Sequence, residues 1–331
     1  MKVLVTGAAG YLGSNVLAGL AANSKIEKVI GIDNFCSAEK KIFLKYLKSL
    51  QKNKKLVFRE MDFYDLENFI PLLEQSDIIV HLAEEKEKEI YSEKITINNT
   101  KIIQWQKNVE GYRRMLEASI ICGIKKVILA SWAGVYVRSE KEKMEENEPL
   151  VPINQYYHQK LSQEFYNKIF SKEYFLDTVT LRMSNIYGIG FNPYRLSIYK
   201  EPGVISVMIA DALRKGKITV HNGGVQKRNF LYIGDAVDAV AKSVCVTGKF
   251  GGNTLNICSD EETSIIDIAR CISALTKAEI IHKDMNWQKN IIQHDISNLS
   301  ARKKIEFKPS GDIRLCIKDM IKAIRKKESK S

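Results

Sequence analysis

The chain lacks the features that mark several large classes of protein. None of its apolar runs reaches the roughly 20 residues that a membrane-spanning helix needs. Met1 and Lys2 lead directly into an apolar strand pattern, so we expect no signal peptide. Its six cysteines are scattered along 331 residues with no CxxC pair, which excludes zinc-finger spacing and a recognisable disulfide framework. We therefore expect a cytoplasmic globular protein with reduced thiols, no membrane partner and no metal site.

The net charge of +12 does not by itself indicate a nucleic-acid partner. The lysines are spread along the chain, and residues 84–94 and 139–148 mix acids with bases in a way that is typical of solvated surfaces. The sequence also contains no basic-aromatic RNA motif. We attribute the excess of cations to a lysine-rich composition and an anionic small-molecule substrate, and we expect no binding to nucleic acid.

The first 33 residues have the pattern of a strand, a glycine turn, a helix, a second strand and an acid. Gly7 allows a tight turn, Gly10 lets the backbone approach a pyrophosphate, and Gly13 lets the helix pack closely on the strand. The N-terminus of that helix offers N–H groups and the positive end of its dipole to the phosphates. Asp33, placed after the second strand, is suited to accept hydrogen bonds from an adenosine ribose. The stretch therefore predicts a dinucleotide-binding unit.

The GxxGxxG spacing, preceded by Thr6, resembles the extended short-chain dehydrogenase/reductase superfamily, and most closely its nucleotide-sugar epimerase/dehydratase branch. The resemblance implies an α/β fold in which a Rossmann-type doubly wound parallel sheet of seven strands carries a smaller C-terminal substrate-binding lobe. It further implies that residues 1–187 form the NAD-binding domain, that residues 229–257 return to it, and that residues 188–331 mainly form the lobe. No cation directly follows Asp33, which favours NAD over NADP.

The same resemblance assigns cofactor contacts along the first half of the chain. Asp62 resembles the residue that hydrogen-bonds the adenine, with a helix cap for residues 65–75 as the alternative. Asn108 resembles the residue that holds the backbone near the catalytic groups, with an N-cap role as the alternative, and His81 lies inside a strand and is expected to be structural. The complete predicted cofactor set is Gly7, Gly10, Tyr11, Leu12, Gly13, Asp33, Asn34, Asp62, Phe63, Leu82, Ala83, Asn108, Tyr156 and Lys160.

Tyr156 and Lys160 carry the predicted chemistry. They are four residues apart, so on a helix they share a face. A free tyrosine has a pKa of about 10 and is a poor base at neutral pH. A nearby lysine ammonium and a positive nicotinamide ring would lower the pKa of this tyrosine towards the working range, and the lysine can also hydrogen-bond the nicotinamide ribose.

The stretch from Ser131 to Tyr136 departs from its relatives in two places. Relatives carry a hydroxyl residue four positions before the tyrosine that corresponds to Tyr136, whereas this chain has Trp132 there. Either Ser131 supplies the hydroxyl after a shift of one residue, which is our assignment, or the hydroxyl is absent. The second departure is Gly134, because the 4,6-dehydratases carry an Asp-Glu pair where this chain has Ala133 and Gly134, and the UDP-glucuronate decarboxylases keep a glutamate at that point.

Substrate contacts are predicted in the second half of the chain. Residues 181–188 and 226–235 resemble two blocks of the family that meet the sugar nucleotide. Arg228 is the expected ligand of the pyrophosphate, because a guanidinium group can hydrogen-bond two phosphate oxygens at once. The complete predicted substrate set is Trp132, Asn185, Val220, Arg228 and Asp295.

The resemblance therefore implies a nucleotide-sugar 4-epimerase-like enzyme, most similar to UDP-glucose 4-epimerases. Tyr156 would take the proton of the C4 hydroxyl, and hydride would leave to NAD and return to the other face of a 4-keto sugar. Two alternatives remain open, a 4-keto-sugar reductase that consumes NADH and a cofactor-binding protein that Trp132 has deprived of catalysis. The sugar and the base stay open, and a homodimer through residues 108–122 and 155–170 is a family expectation.

Overall fold

The computed structural model describes residues 1–50, 54–85, 103–136, 143–152, 154–190, 203–284 and 295–328. The chain forms two compact units. Unit 1 contains Met1–Val135, Pro152–Arg182 and Val240–Leu255, and unit 2 contains Tyr136–Val151, Met183–Ala239 and Asn256–Ser331. The early crossing of residues 136–151 into unit 2 is a feature that the sequence prediction did not contain.

Strands and helices alternate through most of the described chain. The twelve strands found there are β1 Lys2–Thr6, β2 Lys28–Asp33, β3 Leu56–Glu60, β4 Ile78–His81, β5 Lys126–Trp132, β6 Asp177–Met183, β7 Asn185–Tyr187, β8 Lys217–His221, β9 Lys227–Tyr232, β10 Asn253–Ile257, β11 Glu262–Ser264 and β12 Glu279–Lys283. The ten α-helices found there are α1 Tyr11–Ala22, α2 Lys40–Leu50, α3 Leu66–Leu73, α4 Gly111–Ile121, α5 Gln155–Tyr174, α6 Val204–Lys215, α7 Ile233–Cys245, α8 Ile265–Thr276, α9 Leu299–Ile305 and α10 Ile313–Glu328.

A seven-stranded sheet has the order β10-β6-β5-β4-β1-β2-β3, which confirms the predicted Rossmann-type α/β fold. Strand β1 runs parallel to both β2 and β4, β2 runs parallel to β3, and β4 runs parallel to β5. The inner strands are apolar along their length because both faces of a parallel sheet are covered, and Val3, Leu4 and Val5 have no exposed surface. Because these strands are parallel, the segments that follow β1, β2, β4 and β5 emerge at one edge of the sheet, where ligands bind in this fold class.

Unit 2 is built on two small sheets and an apolar core. Its sheets have the orders β11-β9-β7 and β12-β8. Its core is formed by apolar side chains of α6, α8 and α10 together with Val220 and Phe230. Residues 139–148 were predicted to be a solvated surface, but Met144 is buried and the carboxylate of Glu146 accepts hydrogen bonds from the Asn256 N–H and the Ser300 hydroxyl. Residues 139–142 lie outside the described residues.

None of the helices in the described ranges is both long enough and apolar enough to cross a membrane.

The close packing of α1 on the glycine turn can be tested by substituting Gly13. A Cβ at Gly13 would lie 2.0 Å from the carbonyl oxygen and 2.9 Å from the carbonyl carbon of Gly7. Because the opposing atoms are backbone, α1 must move away from β1 in Gly13→Ala. We expect the free energy of unfolding, measured by urea denaturation, to fall by about 1–3 kcal/mol. At Gly248 a Cβ would meet no described atom within 4 Å. Gly248→Ala should therefore change the free energy of unfolding by less than about 0.5 kcal/mol. Equal losses in the two variants would contradict this packing.

Candidate active site

The glycine turn brings the end of β1 against the end of β4. Gly7 has a φ of +68°, and a Cβ on it would lie 2.6–2.7 Å from backbone atoms of Leu82 and Ala83. The hydroxyl of Thr6 accepts hydrogen bonds from the N–H groups of Leu82 and Ala83, at 3.2 Å each. Gly10 is the N-cap of α1 and has no side chain to cover the helix N-terminus, which suits it to an anionic group. Tyr11, Leu12 and Gly13 begin that helix, so the predicted phosphate-binding residues come together.

Asp33 ties the glycine turn to the end of β2. One carboxylate oxygen accepts a hydrogen bond from the Ala9 N–H at 2.9 Å, and the other accepts one from the Phe35 N–H at 2.7 Å. The acid therefore lies beside the turn that would hold the pyrophosphate, which is where a ribose-binding carboxylate is needed.

Asp62 lies next to that acid in a polar network of its own. Its carboxylate accepts hydrogen bonds from the Asn34 amide at 3.0 Å and from the Lys107 ammonium at 2.8 Å. Burial acts to raise the pKa of Asp62, but the hydrogen bonds from Lys107, the Tyr64 N–H and Asn34, with the charge of Lys107, outweigh it and lower that pKa. The cap of α3 is Asp65, so the alternative interpretation of Asp62 as a helix cap is wrong.

Asn108 joins the end of β4 to the start of α5. The side-chain Oδ1 of Asn108 accepts a hydrogen bond from the Glu85 N–H at 2.8 Å. Its side-chain Nδ2 donates to the Glu85 carbonyl and to the side chain of Gln159. It lies within a π-helical turn, Gln106–Glu110, whose N-cap is Trp105. Asn108 is therefore not an N-cap, and its side chain links the backbone of Glu85 to the side chain of Gln159.

His81 is a packing residue inside unit 1. Its Nδ1 lies 2.9 Å from the Thr6 hydroxyl, and its ring packs between those of Phe63 and Tyr112. Burial, followed by the charge of Lys160, lowers the pKa of His81 to about 3, so the imidazole is neutral near neutral pH. Phe63 belongs to the same apolar core, which places this predicted cofactor contact in the wall beneath the site.

The predicted catalytic pair lies at the start of α5, where the Asn154 side chain caps the helix. The Lys160 ammonium is 5.8 Å from the ring centroid of Tyr156, so the two side chains share a face. Lys160 is buried, and its ammonium donates a hydrogen bond to the Ala130 carbonyl at 3.3 Å. It also forms an ion pair with the Glu84 carboxylate at 3.2 Å.

Glu84 is a residue that the sequence reasoning missed. It was assigned to a solvated run at 84–94, but its side chain is only 14% exposed, and its carboxylate pairs with the ammonium of Lys160. The part of that run beyond Glu85 lies outside the described residues. A usable signal was present, because Glu84 directly follows Leu82 and Ala83, which were already predicted to pass the cofactor.

The pKa of Tyr156 moves in the direction opposite to the one expected from Lys160 alone. Burial is the largest cause, followed by the charge of Glu84, a hydrogen bond to its carboxylate and the neighbouring Tyr157, and together they raise the pKa of Tyr156 well above its ordinary value.

Ser131, predicted to supply the assisting hydroxyl, has its hydroxyl bound to another side chain in this structure. Its hydroxyl donates to the Glu164 carboxylate at 2.5 Å. Glu164 is in turn bonded to the buried guanidinium of Arg182, at 2.7 and 3.0 Å. A buried carboxylate needs such partners to offset its lost hydration, and the serine is one of them.

Trp132 packs beside Tyr156, the predicted catalytic tyrosine. Its ring centroid lies 5.8 Å from that of Tyr156 and 4.9 Å from that of Tyr157. A Cβ at Gly134 would lie 2.7–2.9 Å from atoms of the indole. The indole thus occupies the space that a side chain at position 134 would need, and the two departures in this stretch are a single packing arrangement.

The remaining predicted substrate residues lie in unit 2. Arg228 and Asn229 are neighbours on β9, and the Asn229 amide donates to the carboxylate of Asp295 at 3.4 Å. Asn185 begins β7, next to β9 in the same small sheet. Val220 has no exposed surface and belongs to the apolar core, so in this structure it offers nothing for a substrate to touch.

Comparisons with known proteins agree on one family. The model of the NAD dependent epimerase/dehydratase family matches residues 3–258. An uncharacterised UDP-glucose epimerase of Bacillus subtilis is 30% identical over 280 residues, which cover 83% of this chain and 82% of that protein. The dTDP-D-glucose 4,6-dehydratase of Mus musculus is 28% identical over 282 residues, covering 83% and 73%.

A solved structure agrees over the whole chain. The crystal structure of UDP-glucose 4-epimerase from Thermotoga maritima, with UDP-glucose, has a TM-score of 0.82 and 25% identity, and the match covers 99% of this chain and 100% of that one. The family match and this likeness confirm the resemblance inferred from the sequence, including its dependence on NAD.

The buried role of Ser131 can be tested by stability. In Ser131→Ala the Glu164 carboxylate loses a hydrogen-bond donor in a buried site, and we expect the free energy of unfolding in urea to fall by about 1.5–3 kcal/mol. Ser162, whose hydroxyl donates to the exposed His158 carbonyl one turn earlier, provides the matched control Ser162→Ala, with a change below about 0.5 kcal/mol. If Ser131→Ala were as stable as this control, the Ser131 hydroxyl would not be needed by Glu164.

Proposed function

Because the chain belongs to the NAD-dependent epimerase/dehydratase family, we propose that it is a nucleotide-sugar 4-epimerase. The observation that carries this proposal is the placement of Tyr156 and Lys160 on one face of α5, next to the end of β5, with no acid at positions 133 and 134. A tyrosine beside a lysine suffices to exchange a proton with a sugar hydroxyl, whereas elimination of water requires additional acids. UDP is the favoured nucleotide, because two of the similar proteins described above are named for UDP-glucose.

The residues of unit 1 fit NAD. Gly7 and Gly10 leave space for a pyrophosphate at the N-terminus of α1, and Asp33 lies beside that turn with a carboxylate for the adenosine ribose. Asp62 and Asn34 form the polar wall proposed to meet the adenine. When bound, NAD supplies an acceptor and donor of hydride.

The protein groups then have separate tasks. Tyr156 exchanges a proton with the hydroxyl at C4 of the sugar, and Lys160 holds a positive charge 5.8 Å from the tyrosine ring. In unit 2, Arg228 is proposed to bind the pyrophosphate of the sugar nucleotide through its planar guanidinium. Asn185 is proposed to meet the phosphates as well, and Asp295 the ribose of the nucleotide. Bound NAD would supply the hydride acceptor and donor for C4, so an epimer would form without net consumption of cofactor.

A dehydratase is less well supported, although a 4,6-dehydratase is among the relatives. Its additional acids would have to stand at positions 133 and 134, and the indole of Trp132 fills the space at 134. A 4-keto-sugar reductase remains compatible with the same groups, since the tyrosine would donate the proton instead of accepting it.

We include a homodimer through α4 and α5 in the proposal. Two large apolar side chains one turn apart on α5, Phe165 and Ile169, are 55% and 42% exposed, and they form a stripe on one face of that helix. Exposed apolar stripes of this kind are typical of subunit interfaces.

The function is tested by NMR of the protein with UDP- and dTDP-hexoses and catalytic NAD. We expect a C4-epimeric sugar to form with no net NADH, and Tyr156→Phe to lower kcat by about 10²–10⁴-fold because the proton-transferring oxygen is removed. Tyr174→Phe, at the far end of α5, is the control and should keep the wild-type rate. Stoichiometric NADH consumption on a 4-keto sugar would favour the reductase instead, and wild-type turnover by Tyr156→Phe would refute the mechanism.

A further inference from the structure

Lys107 is a charged residue that belongs to neither the predicted cofactor set nor the predicted substrate set. It lies in the π-helical turn Gln106–Glu110, and its ammonium forms ion pairs with the carboxylates of Asp62, at 2.8 Å, and Glu85, at 3.3 Å. Asp62 follows β3 and Glu85 follows β4, so one side chain joins two segments at the edge of the sheet where ligands bind in this fold class. The side chains of Lys107, Asp62 and Glu85 are only 26%, 25% and 17% exposed, so salt screens these pairs less than it screens surface pairs.

Glu85 is held by two successive residues of that turn. Lys107 binds its carboxylate, while the side chain of Asn108 accepts a hydrogen bond from its N–H and donates one to its carbonyl. Single π-helical turns frequently occur at functional sites. Because the turn is tied to the chain after β4 in this way, the ammonium of Lys107 has a defined position from which it also contacts Asp62.

The carboxylate of Asp62 is oriented by three donors. Its Oδ2 accepts hydrogen bonds from the Lys107 ammonium and from the Asn34 amide at 3.0 Å, and its Oδ1 accepts one from the Tyr64 N–H at 3.0 Å. The Asn34 amide is itself fixed, since its Oδ1 accepts a hydrogen bond from the Cys36 N–H at 3.0 Å. An ionised carboxylate offers about four acceptor positions and no donor. The described residues fill three of them, and the fourth, on Oδ1, suits a ligand that donates.

We propose that Lys107 is a specificity-determining positioning residue of the cofactor site, which holds the Asp62 carboxylate so that its remaining acceptor position selects a purine with an amino group. This rests on the proposed contact of Asp62 with the adenine of NAD. The amino group of adenine donates hydrogen bonds, whereas hypoxanthine has a carbonyl oxygen at the same position and would bring a second acceptor against the carboxylate. A site built around a partly buried polar group rejects a ligand that leaves that group unpaired.

A role of Lys107 through charge alone makes a different prediction. A cation that only attracts the pyrophosphate strengthens the binding of every dinucleotide equally. A residue that acts through Asp62 strengthens the binding of the dinucleotide whose base uses Asp62. The preference for NAD over nicotinamide hypoxanthine dinucleotide therefore separates the two roles.

The first experiment measures the binding of these two dinucleotides by isothermal titration calorimetry. The wild type should prefer NAD by about 10–100-fold. Lys107→Met should weaken the binding of NAD by about 10-fold and that of the hypoxanthine analogue by less than about 3-fold, so that the preference falls. Lys107→Arg, which keeps the charge and the donors, should restore most of the preference. Equal losses for the two dinucleotides in Lys107→Met, or an unchanged preference, would overturn the inference.

The matched control is a lysine–aspartate pair at the opposite edge of the sheet. Lys125 and Asp77 directly precede β5 and β4, and their charged groups lie 2.7 Å apart. Lys125→Met should leave both affinities unchanged, because this pair is remote from the glycine turn. A loss of preference in Lys125→Met as large as that in Lys107→Met would mean that the effect is not specific to Lys107, and it would refute the proposal.

The second experiment tests the contact on which the inference rests. Asp62→Ala should remove most of the preference for NAD, and Lys107→Met added to Asp62→Ala should lower it no further, because the two residues act through one group. A wild-type preference in Asp62→Ala would show that Asp62 does not meet the adenine, and the role of Lys107 would fall with it. Neither experiment requires turnover, so a protein that converted no nucleotide sugar would refute the epimerase proposal and leave the assignment of Lys107 to be decided by binding.

Discussion

The site depends on how closely the ends of β1 and β4 approach each other. At Gly7 there is no room for a Cβ, because the backbone of Leu82 and Ala83 lies within 2.7 Å of where it would be, and the positive φ there also suits glycine. The Thr6 hydroxyl then fixes both N–H groups of that backbone. One close approach thus shapes the glycine turn for phosphates and determines where the chain leaves β4. Because Glu84 is the next residue, the same contact delivers a carboxylate to the catalytic pair.

Strand geometry determines the directions of the side chains at the end of β5. Successive side chains on a strand point to opposite faces, so Ser131 and Trp132 cannot both approach Tyr156. The structure directs Ser131 to the buried pair of Glu164 and Arg182, where its hydroxyl helps to compensate a carboxylate, and directs the indole to the tyrosine. The indole leaves no room for a side chain at position 134. The missing hydroxyl and the missing acid are thereby explained by one aromatic side chain rather than by two independent losses.

Charged groups from two different elements of unit 1 meet near Tyr156. The carboxylate of Glu84, at the end of β4, lies 3.2 Å from the Lys160 ammonium, which is 5.8 Å from the centroid of the Tyr156 ring. Family relatives at 28–30% identity include both an epimerase and a dehydratase, so overall similarity does not distinguish the two reactions. In this chain the indole of Trp132 occupies the space that a side chain at position 134 would need.

The sequence by itself determined the fold class and the cofactor, and it predicted that Tyr156 and Lys160 share a face of one helix. Gly7, Gly10, Gly13 and Asp33 are close in sequence, and Tyr156 and Lys160 lie one helical turn apart, so local spacing predicts their geometry. Tertiary structure alone decided the partners of these groups. The partners in each pair are far apart in the chain, as with Ser131 and Glu164 or Glu84 and Lys160. A mixed-charge run such as residues 84–94 also gives no sign that its first residue is buried. Which side chains share a buried site depends on how strands pair and helices pack, and spacing along the chain does not contain that information.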